Sequence, residues 1–165
     1  MNTEASDLLI AALIGVGATA FLDLWSLFLR WAFQSPLPNF CLVGRWFSHM
    51  TEGRFRHASI ATASQMPSEC AVGWIAHYVI GAFYGLAFVA YVSGGWLAKP
   101  TIMPALIFGV VTVLLPFLIM QPAFGLGLAA SRTPNPWHAR LRTLLSHTVF
   151  GIGLYVCAIG VDRLL

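Results

Sequence analysis

The chain has 165 residues, of which 58% are hydrophobic and only 9% charged, with a formal net charge of +3. Soluble domains carry about 25% charged residues, so a soluble globule, a disordered tail and a nucleic-acid module are excluded, and a protein solvated by lipid remains. Cys41, Cys70 and Cys157 are widely spaced and lack any CxxC pair, which predicts packing roles and encodes neither a disulfide framework nor a structural zinc site.

The amino terminus carries Glu4 and Asp7 where a signal peptide would be basic, so the first apolar stretch is read as a retained helix. A bilayer core requires about 20 apolar residues per helix. Four stretches meet that length, over about residues 8–31, 70–93, 101–125 and 140–163, which predicts a single all-α domain built as a four-helix membrane bundle. Asn135-Pro136, an N-cap residue followed by a first-turn proline, starts the fourth helix ahead of its apolar part.

The connection over about 32–69 is roughly 37 residues long, where loops of about 4–6 are usual. After Pro36 and Pro38 it offers Phe40, Val43, Trp46, Phe47 and Met50 at near-helical spacing against Asn39, Arg45, Ser48 and His49. That pattern predicts an interfacial amphipathic helix with Trp46 at headgroup level. The other long connection covers about 130–139.

Charge fixes an expected orientation. Arg30, Arg45, Arg54, Arg56, Arg132, Arg140 and Arg142 fall on the side of these two connections, against Lys99 and Arg163 on the other. By the positive-inside rule both connections are cytoplasmic and both termini periplasmic.

Ionisable groups at membrane depth carry the functional expectation, because a charge there costs at least about 2.5–3.5 kcal/mol and usually faces a partner, cavity or ligand. Asp23, His77 and His147 each lie about 7–12 Å inside the cytoplasmic boundary at 1.5 Å per residue. Asp23 shares a helix face with Gly15 and Thr19, His77 with Gly73, Gly81 and Gly85, and His147 with Gly151 and Tyr155. These glycines are candidate helix-packing positions. Gln121, near Pro116, Pro122, Gly125 and Gly127, is a fourth candidate, in a run that reads as a broken helix lining a cavity. Thr19 is expected to bond either Asp23 or its own backbone. His49, His57 and His138 are read as headgroup-level polar residues, and Ser68 and Glu69 as helix capping.

A second constellation consists of Arg45, Arg54, Arg56, Arg132, Arg140 and Arg142, with the free backbone N–H groups at Asn135-Pro136. It is a candidate site for anionic lipid headgroups or for a phosphate-bearing substrate.

The segments GVGATAFLDLW, LVGRW, GRFRHAS, GWIAHYVIG, QPAFGLGLAASRTPNPW and SHTVFGIGLY occur in that order. Together they resemble a bacterial family of small four-span inner-membrane proteins of unknown function, over about Leu8 to Ile159. The resemblance implies an integral inner-membrane protein and brings no activity, substrate or cofactor.

Three functions compete. A carboxylate with two imidazoles suits a transition metal, and two imidazoles suit haem, although no HExxH pair is present. The same groups could titrate during proton-coupled transport by a homo-oligomer. They could instead fix helix packing in a structural subunit. No nucleophile elbow marks Ser26, Ser146 or Thr148, so no catalytic residue is nominated.

Overall fold

The computed structural model describes residues 3–92 and 95–162. Ser93 and Arg163, used above for a span end and for the charge comparison, lie outside the described residues. The elements are α1 (Thr3–Phe33), α2 (Phe40–Met50), α3 (Glu69–Val92), α4 (Gly95–Ala98), α5 (Ile102–Thr112), α6 (Gln121–Ala123) and α7 (Pro136–Asp162), with a wide turn at Pro116–Met120 and a 3-10 turn at Leu128–Ala130.

Among the described residues four helices are long and apolar enough to cross a membrane: Ser6–Phe33, Glu69–Val92, Ile102–Ala123 and Pro136–Val161. The fourth begins at Pro136, and the Asn135 Oδ1 accepts the His138 N–H at 3.2 Å, so the cap read from the sequence sets the boundary. The third span is irregular. Pro116 and Pro122 have no N–H to give, and the Gln121 N–H reaches back to the Pro116 carbonyl, widening the helix by one residue.

The described chain groups into two compact units. The first comprises 1–37, 78–111 and 146–165. Its core is Ile14, Ala18, Phe88, Trp96, Ala105, Phe150, Leu154 and Ala158. In lipid there is no hydrophobic drive to bring helices together, so close contact between small residues supplies the packing. Here a Cβ on Gly15 would overlap the Gly81 carbonyl, one on Gly85 the Ala11 carbonyl, and one on Gly151 would crowd Ala105. Thr19 is buried beside Gly81 and its hydroxyl donates to the Gly15 carbonyl at 2.9 Å, so it bonds its own backbone.

The second unit comprises 38–77 and 112–145, with a core of Trp46, Ile60, Ala123 and Phe124. Asn39 caps α2 by accepting the Cys41 N–H at 3.1 Å. Helix α2 forms where its periodicity predicts, but its polar face is not solvated. Gly44, Arg45, Trp46 and His49 are buried. The reason is a close crossing with the first turns of α3: a Cβ on Gly44 would overlap the Glu69 carbonyl, and one on Gly73 the Phe40 carbonyl.

That crossing corrects two expectations. Cys41 and Cys70 are disulfide-bonded, because α2 folds back over the start of α3 and joins positions 29 residues apart. Cys157 is free. Arg45, a headgroup candidate by sequence, is instead buried and paired within the protein. Its Nε and Nη2 donate to both oxygens of Glu69 at 2.8 and 2.7 Å, and its Nη1 donates to the carbonyls of Ile60, Ala61 and Ala63 at 3.1–3.2 Å. Glu69 also accepts the Met66 N–H at 2.9 Å, from the turn ahead of α3, so the carboxylate read as helix capping serves as the partner of a buried guanidinium and of that turn. The bond to Glu69 raises the Arg45 pKa above its already high ordinary value, against the effect of burial.

Candidate functional site

Each member of the polar layer has a neighbour of its own. The Asp23 carboxylate accepts the Tyr78 hydroxyl at 2.9 Å, both on helices of the first unit. His77, in the second unit, stacks on Phe40 with ring centroids 3.9 Å apart and meets the edge of Trp74. The His147 ring engages the backbone of Gly109, where the two helices approach so closely that a Cβ on Gly109 would crowd the His147 carbonyl. Gln121 is buried, and its Nε2 donates to the Thr143 hydroxyl at 3.3 Å. Its Oε1 is buried without a partner. Among the described residues no group of three or more His, Cys, Asp or Glu side chains could hold a metal ion.

The arginines divide by what they touch. Arg45 is consumed in the α2–α3 pair. Arg54 pairs with Glu52 at 2.8 Å on the surface, and the Arg140 Nε donates to the Ala129 carbonyl at 2.8 Å. Arg142 is half-buried on α7. Arg56 and Arg132 remain exposed and line a cavity of about 410 Å³ together with His57, Leu118, Pro122, Gly125, Gly127 and Leu128.

The cavity lies wholly within the second unit, and its shape follows from the break after the third span. Beyond Ala123 the backbone cannot continue helically: Gly125 and Gly127 take φ of 85° and 77°, and Ala129 and Ala130 take 45° and 59°. A side chain at Gly125 would overlap the Ala58 carbonyl, so glycine is required for the contact with the 55–60 segment. That segment is fixed by the His57 N–H to the Ala123 carbonyl at 2.9 Å and the Ile60 N–H to the Phe124 carbonyl at 3.1 Å. On the other wall the Arg132 N–H donates to the Leu126 carbonyl at 2.8 Å. Two segments far apart in sequence thus present two guanidiniums beside an apolar wall.

His57, read from the sequence as a headgroup-level polar residue, is a half-buried part of the cavity wall, and both its ring nitrogens are shut from solvent without a hydrogen bond of normal geometry. Burial lowers its pKa from the ordinary value, and the neighbouring His49 and Arg54 lower it further, with the Ala123 backbone in part offsetting them. A cavity with two fixed cations, a neutral imidazole and apolar walls suits an amphiphile with an anionic head.

Comparison with curated proteins and with solved structures finds no significant match. Residues 12–161 match the family described as Protein of unknown function (DUF2938). With four transmembrane helices and a sequence match over nearly its whole length, the chain is an integral membrane protein that belongs to the DUF2938 family.

Proposed function

We propose that this protein binds the anionic head of a phosphate-bearing amphiphile in the Arg56–Arg132 cavity. The observation that carries the reading is that two exposed guanidiniums line one cavity of about 410 Å³ whose apolar wall is Leu118, Pro122 and Leu128. Pockets of roughly 300–1,000 Å³ accommodate small ligands, and a guanidinium presents paired donors that match phosphate oxygens. In this reading Asp23, His77 and His147 hold neighbouring elements in register, and ligand chemistry belongs to the cavity.

We place the protein in a bacterial inner membrane with the cavity side cytoplasmic, on the strength of the seven-to-two asymmetry of basic residues. The Cys41–Cys70 bond argues the other way, since disulfides persist in oxidising compartments. A reporter fused to the carboxyl terminus and active only when exported is expected to be active; an inactive one, with a cytoplasm-active reporter working at the same site, reverses the placement.

The binding test titrates purified protein in an uncharged maltoside with short-chain phosphatidylglycerol, phosphatidylcholine of the same chains, and inorganic phosphate. Saturable binding of phosphatidylglycerol is expected, weakened about tenfold or more by Arg56→Gln or Arg132→Gln, since a hydrogen bond to a charged group contributes about 1.5–3 kcal/mol. Equal binding of phosphatidylcholine refutes anion selectivity. Tight binding of inorganic phosphate alone identifies a free-phosphate site instead of a lipid site.

A further inference from the structure

His49 and His57 form a titratable pair beside the cavity, with ring centroids 4.9 Å apart. His49 is wholly buried, and its Nε2 lies 2.9 Å from the Ser64 carbonyl, which can only accept, so Nε2 carries the proton. Its Nδ1 has no hydrogen bond but faces the Glu52 carboxylate at 3.5 Å, so a negative charge already stands against this ring.

His57 has no such counter-charge. A neutral imidazole carries one donor and one acceptor, and in His57 both are buried and neither makes a hydrogen bond of normal geometry, the Ala123 backbone offsetting this only in part. The charged groups around it are Arg54 and Arg56 on its own segment and Arg132 across the cavity, with Glu52 turned to His49 and Arg54. A proton on His57 would be repelled by these cations until a negative charge enters the cavity. An anion reverses the balance, because it supplies the attraction that the wall lacks.

We propose that His57 couples anion capture to proton uptake: the cavity takes one anionic headgroup together with one proton from solvent, which converts the imidazole to an imidazolium. The coupling rests on the binding reading above and adds its regulation. By reciprocity, if the anion favours the protonated ring, the proton favours the bound anion. Affinity then rises as pH falls, by up to about tenfold per pH unit between the free and the anion-bound pKa of the ring. The lowered pKa of the free ring sets the lower edge of that window beneath the ordinary value of 6.5.

The test uses the full chain in maltoside micelles and short-chain phosphatidylglycerol, a phosphodiester whose charge is constant near neutral pH, whereas a phosphate monoester titrates near pH 6. Calorimetric titrations at about pH 6, 7 and 8, in buffers of different ionisation enthalpy, count the protons taken up per anion. Uptake approaching one, with affinity weakening as pH rises, is expected for the wild type. His57→Gln is expected to bind with pH-independent affinity and no uptake, and His49→Gln to keep the uptake. Wild-type binding without uptake overturns the coupling and leaves the binding reading intact. Persistence of uptake in His57→Gln overturns the assignment to this ring. If the wild type binds no phosphatidylglycerol at any pH, both readings fall. The proton count in the wild type needs no variant, so a poorly folding substitution does not remove the test.

Discussion

Arg45→Met is the most informative single perturbation of the second unit. It removes five hydrogen bonds at once, two to Glu69 and three to backbone carbonyls, and leaves a buried carboxylate with only the Met66 N–H. Removing one partner of a buried ion pair costs about 3–5 kcal/mol, chiefly through the charge left behind. Methionine retains the apolar stem, so the loss is polar rather than a cavity. The Cys41–Cys70 bond partly masks it, since it holds α2 over α3 whether or not the ion pair forms. Closing a loop with a sequence separation of 29 restricts the unfolded chain by about 3–4 kcal/mol on the chain-entropy account. The measurement is therefore a cycle: wild type, Arg45→Met, the Cys41→Ser/Cys70→Ser pair, and all three changes together, unfolded in mixed maltoside and dodecyl sulfate micelles and followed by tryptophan fluorescence. Arg45→Met is expected to lose about 3–5 kcal/mol, and adding Glu69→Gln to recover much of it, because the orphaned charge is then gone. An Arg45→Met protein as stable as the wild type, in the background without the disulfide, refutes the claim that this pair holds the crossing.

Three further outcomes are expected. Gly15→Leu should abolish the close approach of α1 and α3, because the first added carbon already overlaps backbone at Gly81 and Gly85; loss of monodisperse protein on size-exclusion chromatography is the readout, and normal elution counts against the contact. Tyr78→Phe should lower stability by about 0.6 kcal/mol, the average for a hydrogen bond within a membrane protein, measured by the same micellar unfolding. The unliganded protein should lose stability as pH falls through about 6.5: His57 has a lowered pKa when folded, so in that window the unfolded chain binds more protons. His57→Phe should flatten that slope in unfolding midpoints measured from about pH 8 to 5.5.

Much of the framework was legible because lipid imposes it. Four apolar runs of the right length, and an Asn-Pro pair at the start of the fourth, place the spans within a few residues of Ser6–Phe33, Glu69–Val92, Ile102–Ala123 and Pro136–Val161. The existence of α2 followed from its periodicity, but the direction of its polar face did not. Arg45 and His49 read as solvated because their partners, Glu69 and Ser64, lie 24 and 15 residues further on and no local pattern announces them. The disulfide was hidden for the same reason. Of the site, Arg56 and Arg132 stood out by charge alone, whereas His57 became visible only once Gly125 brought the 55–60 segment against the end of the third span. Asp23 meets an aromatic hydroxyl, His77 an aromatic face and His147 a backbone group, contacts that a search for charged companions does not detect.

The wide turn at Pro116–Met120 acts as a phase shifter. One extra residue in a helix rotates everything after it by about 100°, a full turn being 3.6 residues. That rotation decides which way Gln121 faces when it meets Thr143, and how Pro122 stands relative to Leu118 along the cavity wall. Deleting one residue within the turn would remove the extra residue while leaving the proline at 122 in place, and would turn Gln121 off its partner and swing part of the apolar wall aside. On the proposed binding reading, the span should tolerate a change of length as a membrane crossing but not as a cavity wall, so a deletion series through residues 116–120 is expected to separate insertion from ligand recognition without altering a single charged side chain.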